Sequence, residues 1–220
     1  MHGGESAPWL DFSLMLITDR KQTGGRSLLD TVEEALKGGV RAIQLREKEL
    51  SSRALYELAY EMRKLTMRFG ARLIVNDRVD IALAVDADGV HLGGESIPLY
   101  RVRKVLGEKK LIGISCHNQV NAIMAQENGA DYITFGPVFP TPSKAVYGDP
   151  LGVDKLREVA ELLSIPVFAL GGIKRHNVQQ VVDADVHCIA MISAILAAES
   201  PREEAHAFID LLPPLPEQEV

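Results

Sequence analysis

The chain is short of cysteine and basic charge, and each shortage removes a class of protein. There are two cysteines, Cys116 and Cys188, both inside apolar runs and without CxxC or metal-ligand spacing. They read as buried thiols of a reducing compartment, neither a disulfide nor a zinc site. Twenty-four Lys and Arg stand against 30 Asp and Glu, giving a net charge of −6. No broad nucleic-acid interface is expected, because that needs a basic face that displaces counterions. A small cationic pocket for phosphates remains compatible. No apolar run is long enough to span a membrane, and residues 1–19 lack the basic segment and apolar length of a signal peptide. A cytoplasmic location is the expectation.

What is present fits one domain: 220 residues, 46% hydrophobic and 25% charged, enough to bury one large core. Short apolar runs recur at residues 13–18, 42–45, 73–75, 89–92, 111–115, 132–135, 167–170 and 188–192. Few of them alternate polar with apolar, as expected of parallel strands buried on both faces. Helical patterns lie between them. Residues 51–69 carry Leu55, Leu58, Ala59, Met62 and Leu65 at helical spacing, and Ser51, Asn118 and Asp154 stand near expected helix starts. The alternation predicts a single TIM (β/α)8 barrel over residues 1–220, with 1–12 and 212–220 as peripheral tails. A doubly wound open sheet is the alternative, since periodicity alone does not show closure.

A barrel of this kind puts its chemistry just after its strands. The second strand runs into Gln44, Arg46 and Lys48. Arg46 and Lys48 are two apart on extended chain, so they share a side and suit an anion such as a diphosphate; the alternative is a solvated charge cluster. After the third strand come Asn76 and Asp77, an amide for a substrate and a hard carboxylate for Mg²⁺, or else an Asx turn capping the next helix. Gly171–Gly172 and Ile192–Ser193 follow strands seven and eight, where backbone N–H groups commonly cradle a phosphate. His117, just after Ser115, suits proton transfer or a structural bond to a loop carbonyl. His91 lies inside a strand and reads as a satisfied core residue. The proline-broken loop "FGPVFPTPSKAVYGD" places Lys144 beside Thr141 and Ser143. Lys144 would form half of an anion clamp, while Tyr147 and Asp149 shape the loop.

Taken in order, "QLREK", "NDRVDIAL", "GVHLG", "GPVFPTPSK" and "ALGGI" strongly resemble the thiamine phosphate synthase family across nearly the whole chain. The resemblance implies a TIM barrel that joins hydroxymethylpyrimidine diphosphate to thiazole phosphate and releases pyrophosphate, with Mg²⁺ as cofactor. By matching position, Gln44, Arg46, Lys48, Asn76, Ser115 and Lys144 would contact the pyrimidine diphosphate, with Arg46, Lys48 and Lys144 as the catalytic cations. Thr141, Ser143, Gly172, Ile192 and Ser193 would hold the thiazole phosphate, and Asp77 would bind Mg²⁺. One position departs. The family carries Asp as a second metal ligand where this chain has Ser96, and a neutral hydroxyl is the poorer Mg²⁺ partner. Two further functions stay open: a thiazole tautomerase with His117 as acid–base, and a non-catalytic barrel that binds a phosphorylated metabolite. The partners implied are small molecules, with a homo-oligomer compatible and neither nucleic acid nor membrane expected.

Overall fold

The computed structural model describes residues 10–141 and 149–214, so Ser143, Lys144 and Tyr147 lie outside the described residues. Its strands are β1 (Leu14–Ile17), β2 (Ala42–Leu45), β3 (Arg72–Asn76), β4 (Gly89–Leu92), β5 (Leu111–Cys116), β6 (Tyr132–Phe135), β7 (Val167–Leu170) and β8 (Cys188–Met191). All are parallel, and each pairs with the next. β8 returns to β1 through Leu14↔Ile189 and Leu16↔Met191, closing the barrel and excluding the open sheet.

The helices are α1 (Leu28–Lys37), α2 (Ser52–Arg68), α3 (Val79–Ala84), α4 (Leu99–Leu106), α5 (Gln119–Glu127), α6 (Gly152–Leu162), α7 (Val178–Val182), α8 (Ser193–Leu196) and α9 (Pro201–Leu211). Their starts follow local chemistry. Ser51 Oγ accepts from the Ala54 amide at 3.3 Å, and Asn118 Oδ1 accepts from the Asn121 amide at 2.8 Å. Asp154 lies in the first turn of α6 without a capping bond.

The continuous apolar runs conceal a strict alternation. Leu16, Ile43, Leu73, Val75 and Ile133 pack outward against the helices. Met15, Ile17, Ala42, Ile74, Tyr132, Phe168 and Ala190 pack inside the barrel. Both faces are apolar because both are buried. At the inner edge of each expected tail, one residue belongs to the core. Phe12 is buried in the interior cluster with its ring 5.5 Å from that of Phe168, and Leu212 is buried in the outer core. A barrel end leaves apolar interior side chains facing water, and Phe12, just before β1, covers them.

At the N-terminal ends of the strands, charge is neutralised. Asp88 accepts from Arg63 and from the Leu73 amide, both at 2.7 Å; Asp131 accepts from Arg103 and from the Ile112 amide, both at 2.6 Å. Cys116 and Cys188 are free and buried, and burial pushes both thiols up to about 12. That makes them inert near neutral pH.

Candidate active site at the C-terminal barrel mouth

Beyond β2 the chain leaves the barrel with Arg46 half-buried, Glu47 buried and Lys48 exposed. Two bonds fix this exit. The Arg46 amide donates to Thr18 Oγ1 at 2.9 Å, and the Glu47 carboxylate accepts from the Arg20 amide at 3.1 and 3.2 Å. Burial raises the Glu47 carboxyl above its ordinary value, against the Thr18 and Arg20 bonds that lower it. Among the described residues, neither Arg46 nor Lys48 has an ion pair, in contrast to the paired arginines at the opposite end. Gln44 is 1% exposed and points into the barrel, where its amide lies 3.7 Å from Met15 Sδ.

Asp77 follows β3 with φ +60°, and its amide donates to the His91 carbonyl at 2.9 Å. Its Oδ2 accepts from Asn76 Nδ2 at 2.7 Å, and its Oδ1 accepts from the Ser96 hydroxyl. Ser96 Oγ in turn accepts from the Gly93 amide at 2.6 Å. The helix-cap alternative does not hold, since α3 has no side-chain cap. Asp77 is instead a carboxylate held at both oxygens.

Inside β4–β6 lies a polar cluster. His91 Nε2 is 2.9 Å from Ser115 Oγ, His91 Nδ1 is 3.2 Å from the Tyr132 hydroxyl, and Thr134 Oγ1 is 3.3 Å from Ser115 Oγ. Gly113 makes this possible. A Cβ there would stand 2.1 Å from Tyr132 Cζ, so only glycine lets the ring cross β5 toward His91 on β4.

Burial lowers the His91 imidazole to about 4, so it is neutral near pH 7. In the unfolded chain the same ring titrates near 6.5 and binds the proton first. Stability is therefore fully present above 6.5 and lost as pH falls toward 4, at up to about 1.4 kcal/mol per pH unit. Urea midpoints between pH 7 and 5 are expected to fall for the parent and to fall less for His91→Gln. Parallel slopes would refute the assignment.

His117 is exposed, and its Nδ1 lies 2.5 Å from the Gly136 carbonyl. This is the bond to a loop carbonyl expected of it; because a carbonyl only accepts, Nδ1 carries the proton, and Nε2 keeps the lone pair that proton transfer would need.

A cleft of about 130 Å³ opens beyond β7 and β8, lined by Thr141, Gly171, Gly172, Ile192, Ser193 and Ala194 among others. Gly171 and Gly172 have φ of +99° and +68°, and a Cβ on Gly172 would stand 2.6 Å from the Pro140 carbonyl. Ser193 opens the short helix α8 beside them. Asn177 pins the glycine turn. Its Nδ2 donates to the Gly172 carbonyl at 3.1 Å, and its Oδ1 accepts from the Lys174 amide at 2.7 Å.

Gln44, Arg46, Asn76, Asp77, Ser115 and Ser96 thus stand at one barrel end with the 171–172 and 192–193 cleft, while Ser143 and Lys144 lie outside the described residues. Sequence reasoning missed Thr18, Thr134, Tyr132 and Asn177. Only Asn177 left a signal, a polar residue five positions after a Gly–Gly turn. Tyr132 and Thr134 are ordinary strand residues and Thr18 directly follows β1; their roles come from their neighbours.

The profile of a family described as thiamine monophosphate synthase matches residues 14–195. A Geobacter sulfurreducens relative, described as a candidate thiamine-phosphate synthase, is 59% identical over 205 residues, 93% of this chain and 96% of that one. A thiamine-phosphate synthase of Shouchella clausii is 46% identical over 198 residues, covering 90% of this chain and 95% of its own. Among solved structures, a thiamine phosphate pyrophosphorylase from Pyrococcus furiosus superposes with a TM-score of 0.84 at 38% identity, covering 91% of this chain and 95% of that one. A 3-hexulose-6-phosphate synthase at 15% identity and TM-score 0.68 shares the barrel alone. With a match from β1 into α8 and relatives similar along nearly their full length, the chain belongs to the thiamine monophosphate synthase family.

Proposed function

We propose that this barrel mouth joins hydroxymethylpyrimidine diphosphate to thiazole phosphate and releases pyrophosphate, with Mg²⁺ as its metal. Family membership makes the chain a thiamine-phosphate synthase, an enzyme of thiamine biosynthesis. The observation that carries the assignment of roles is Arg46, a half-buried cation without an ion pair among the described residues, at the same barrel end as the Asp77 carboxylate and the glycine-lined cleft.

Breaking the pyrimidine C–O bond builds a carbocation on one side and negative charge on the departing diphosphate. Arg46 and Lys48 meet that growing charge, so they stabilise the transition state more than the ground state. Lys144 joins them by resemblance. Gln44, Asn76 and Ser115 orient the pyrimidine part. The amides of Gly172 and Ser193, with Ile192, Thr141 and Ser143, hold the thiazole phosphate, and that anchor aims the ring nitrogen at the cation. The nitrogen already carries its lone pair, so no general base is required.

Asp77 fits a Mg²⁺ ligand: a hard carboxylate, oriented at both oxygens, in a site where substrate phosphates can complete the shell. Bound there, Mg²⁺ would neutralise diphosphate charge. Ser96 is bonded to Asp77 as a donor, so we assign it to orienting the ligand and not to binding the metal itself. Ser96→Ala is expected to weaken metal binding about 10- to 100-fold, the usual loss for an outer-shell partner. Ser96→Asp, which adds a carboxylate, should strengthen it. Calorimetric titration with Mg²⁺ and pyrophosphate reads both without turnover; equal affinity in all three proteins would remove Ser96 from the site.

Pyrophosphate release on mixing both substrates with Mg²⁺ tests the function. Isomerisation of thiazole carboxylate phosphate without release would point to a tautomerase using His117. Binding with neither reaction would leave a metabolite-binding barrel.

A further inference from the structure

The Ser115 hydroxyl has its two acceptor positions filled from inside the barrel, and donor bookkeeping decides by whom. The Tyr132 hydroxyl is fully buried, and its one hydrogen-bond partner among the described residues is His91 Nδ1 at 3.2 Å. A buried O–H without an acceptor is costly, so the phenol donates and Nδ1 accepts. In a neutral imidazole the proton then sits on Nε2, which lies 2.9 Å from Ser115 Oγ and donates to it. Thr134 is 2% exposed and its hydroxyl also needs an acceptor. The protonated Nε2, 3.5 Å away, cannot serve, which leaves Ser115 Oγ at 3.3 Å. Ser115 therefore accepts twice, and the valence it keeps is its own O–H. Ser115 is itself partly exposed, near the C-terminal end of β5.

We propose that Tyr132, His91 and Thr134 are positioning residues that make Ser115 an obligate hydrogen-bond donor to an acceptor atom of the bound pyrimidine diphosphate, with His91 locked in its Nε2–H tautomer by the Tyr132 phenol. This rests on Ser115 being a substrate contact. The device selects against a substrate that presents a donor at that point, because two donors would then face each other. It also explains why a histidine, a tyrosine and a glycine are spent on the interior of a barrel that apolar side chains would otherwise fill.

The test combines spectroscopy with kinetics on the whole chain. In ¹⁵N-histidine-labelled protein, His91 is expected to carry its proton on Nε2, and Tyr132→Phe is expected to let Nδ1 take it. Tyr132→Phe keeps the ring that packs on Phe168 at 5.3 Å. It should raise KM for the pyrimidine diphosphate roughly threefold to tenfold while leaving KM for thiazole phosphate unchanged. Thr134→Val, which removes the second donor, serves if Tyr132→Phe does not fold. Added to Ser115→Ala, neither change should cost anything more. If Ser115→Ala leaves the pyrimidine KM untouched, the substrate contact is wrong and the relay falls with it. If Ser115→Ala raises that KM but the parent carries its proton on Nδ1, or Tyr132→Phe and Thr134→Val both leave KM unchanged, the contact stands and the relay is refuted.

Discussion

Arg46→Ala is expected to lower turnover about a hundredfold to a thousandfold, the usual loss of roughly 2.7–4 kcal/mol when one donor to a developing anion is removed. The site supports so large an effect. Arg46 is half-buried, its backbone is fixed by Thr18, and no acidic partner among the described residues competes for its charge. Arg46→Lys keeps the charge without the planar fork and should fall between parent and alanine. Lys48→Ala and Lys144→Ala should each slow the reaction, and the three losses should not add, because the cations grip one leaving group. Single-turnover pyrophosphate release gives the rate, and KM for thiazole phosphate should barely move. An Arg46→Ala enzyme at the parental rate would sink the role of Arg46, and a general rise in both KM values would mark it as a structural residue.

Gly172→Ala should damage both the fold and the second substrate's site. Its φ of +68° lies where an L side chain is strained, at about 1–3 kcal/mol. The new Cβ would also meet the Pro140 carbonyl at 2.6 Å and Phe139 Cβ at 2.7 Å. Relief would move residues 139–141, at a further cost of about 1–3 kcal/mol. In a domain of this size the sum corresponds to a fall in Tm on the order of 10 °C. Because Pro140 and Thr141 line the same cleft, KM for thiazole phosphate should rise more than tenfold, while KM for the pyrimidine diphosphate changes little. Differential scanning calorimetry and steady-state kinetics read the two effects separately. An unchanged thiazole phosphate KM in a destabilised protein would place that phosphate elsewhere.

The order of elements was written in the chain, because strands buried on both faces must read as short apolar runs and their helices as amphipathic ones. The stretches around Arg46, Asp77, Gly172 and Ser193 were legible for a related reason. A polar or glycine-rich break right after an apolar run stands out against its surroundings. Ser96 was legible only as a departure, and its hydrogen bond to Asp77 appears only in the structure. Periodicity did not show closure, since it is the same for an open sheet and a barrel; the family resemblance implied it, and the pairing of β8 with β1 shows it. Nor was the covering role of Phe12, which depends on Phe168, 156 residues further along the chain. The cluster of His91, Ser115, Tyr132 and Thr134 lay deepest of all. Its members come from three strands, and their hydrogen-bond directions are fixed by what each buried group lacks. Local sequence thus determined where strands, turns and charges fall, because these depend on a residue and its near neighbours. Tertiary structure alone decided which polar groups meet and which of them donates, because that depends on contacts across the barrel.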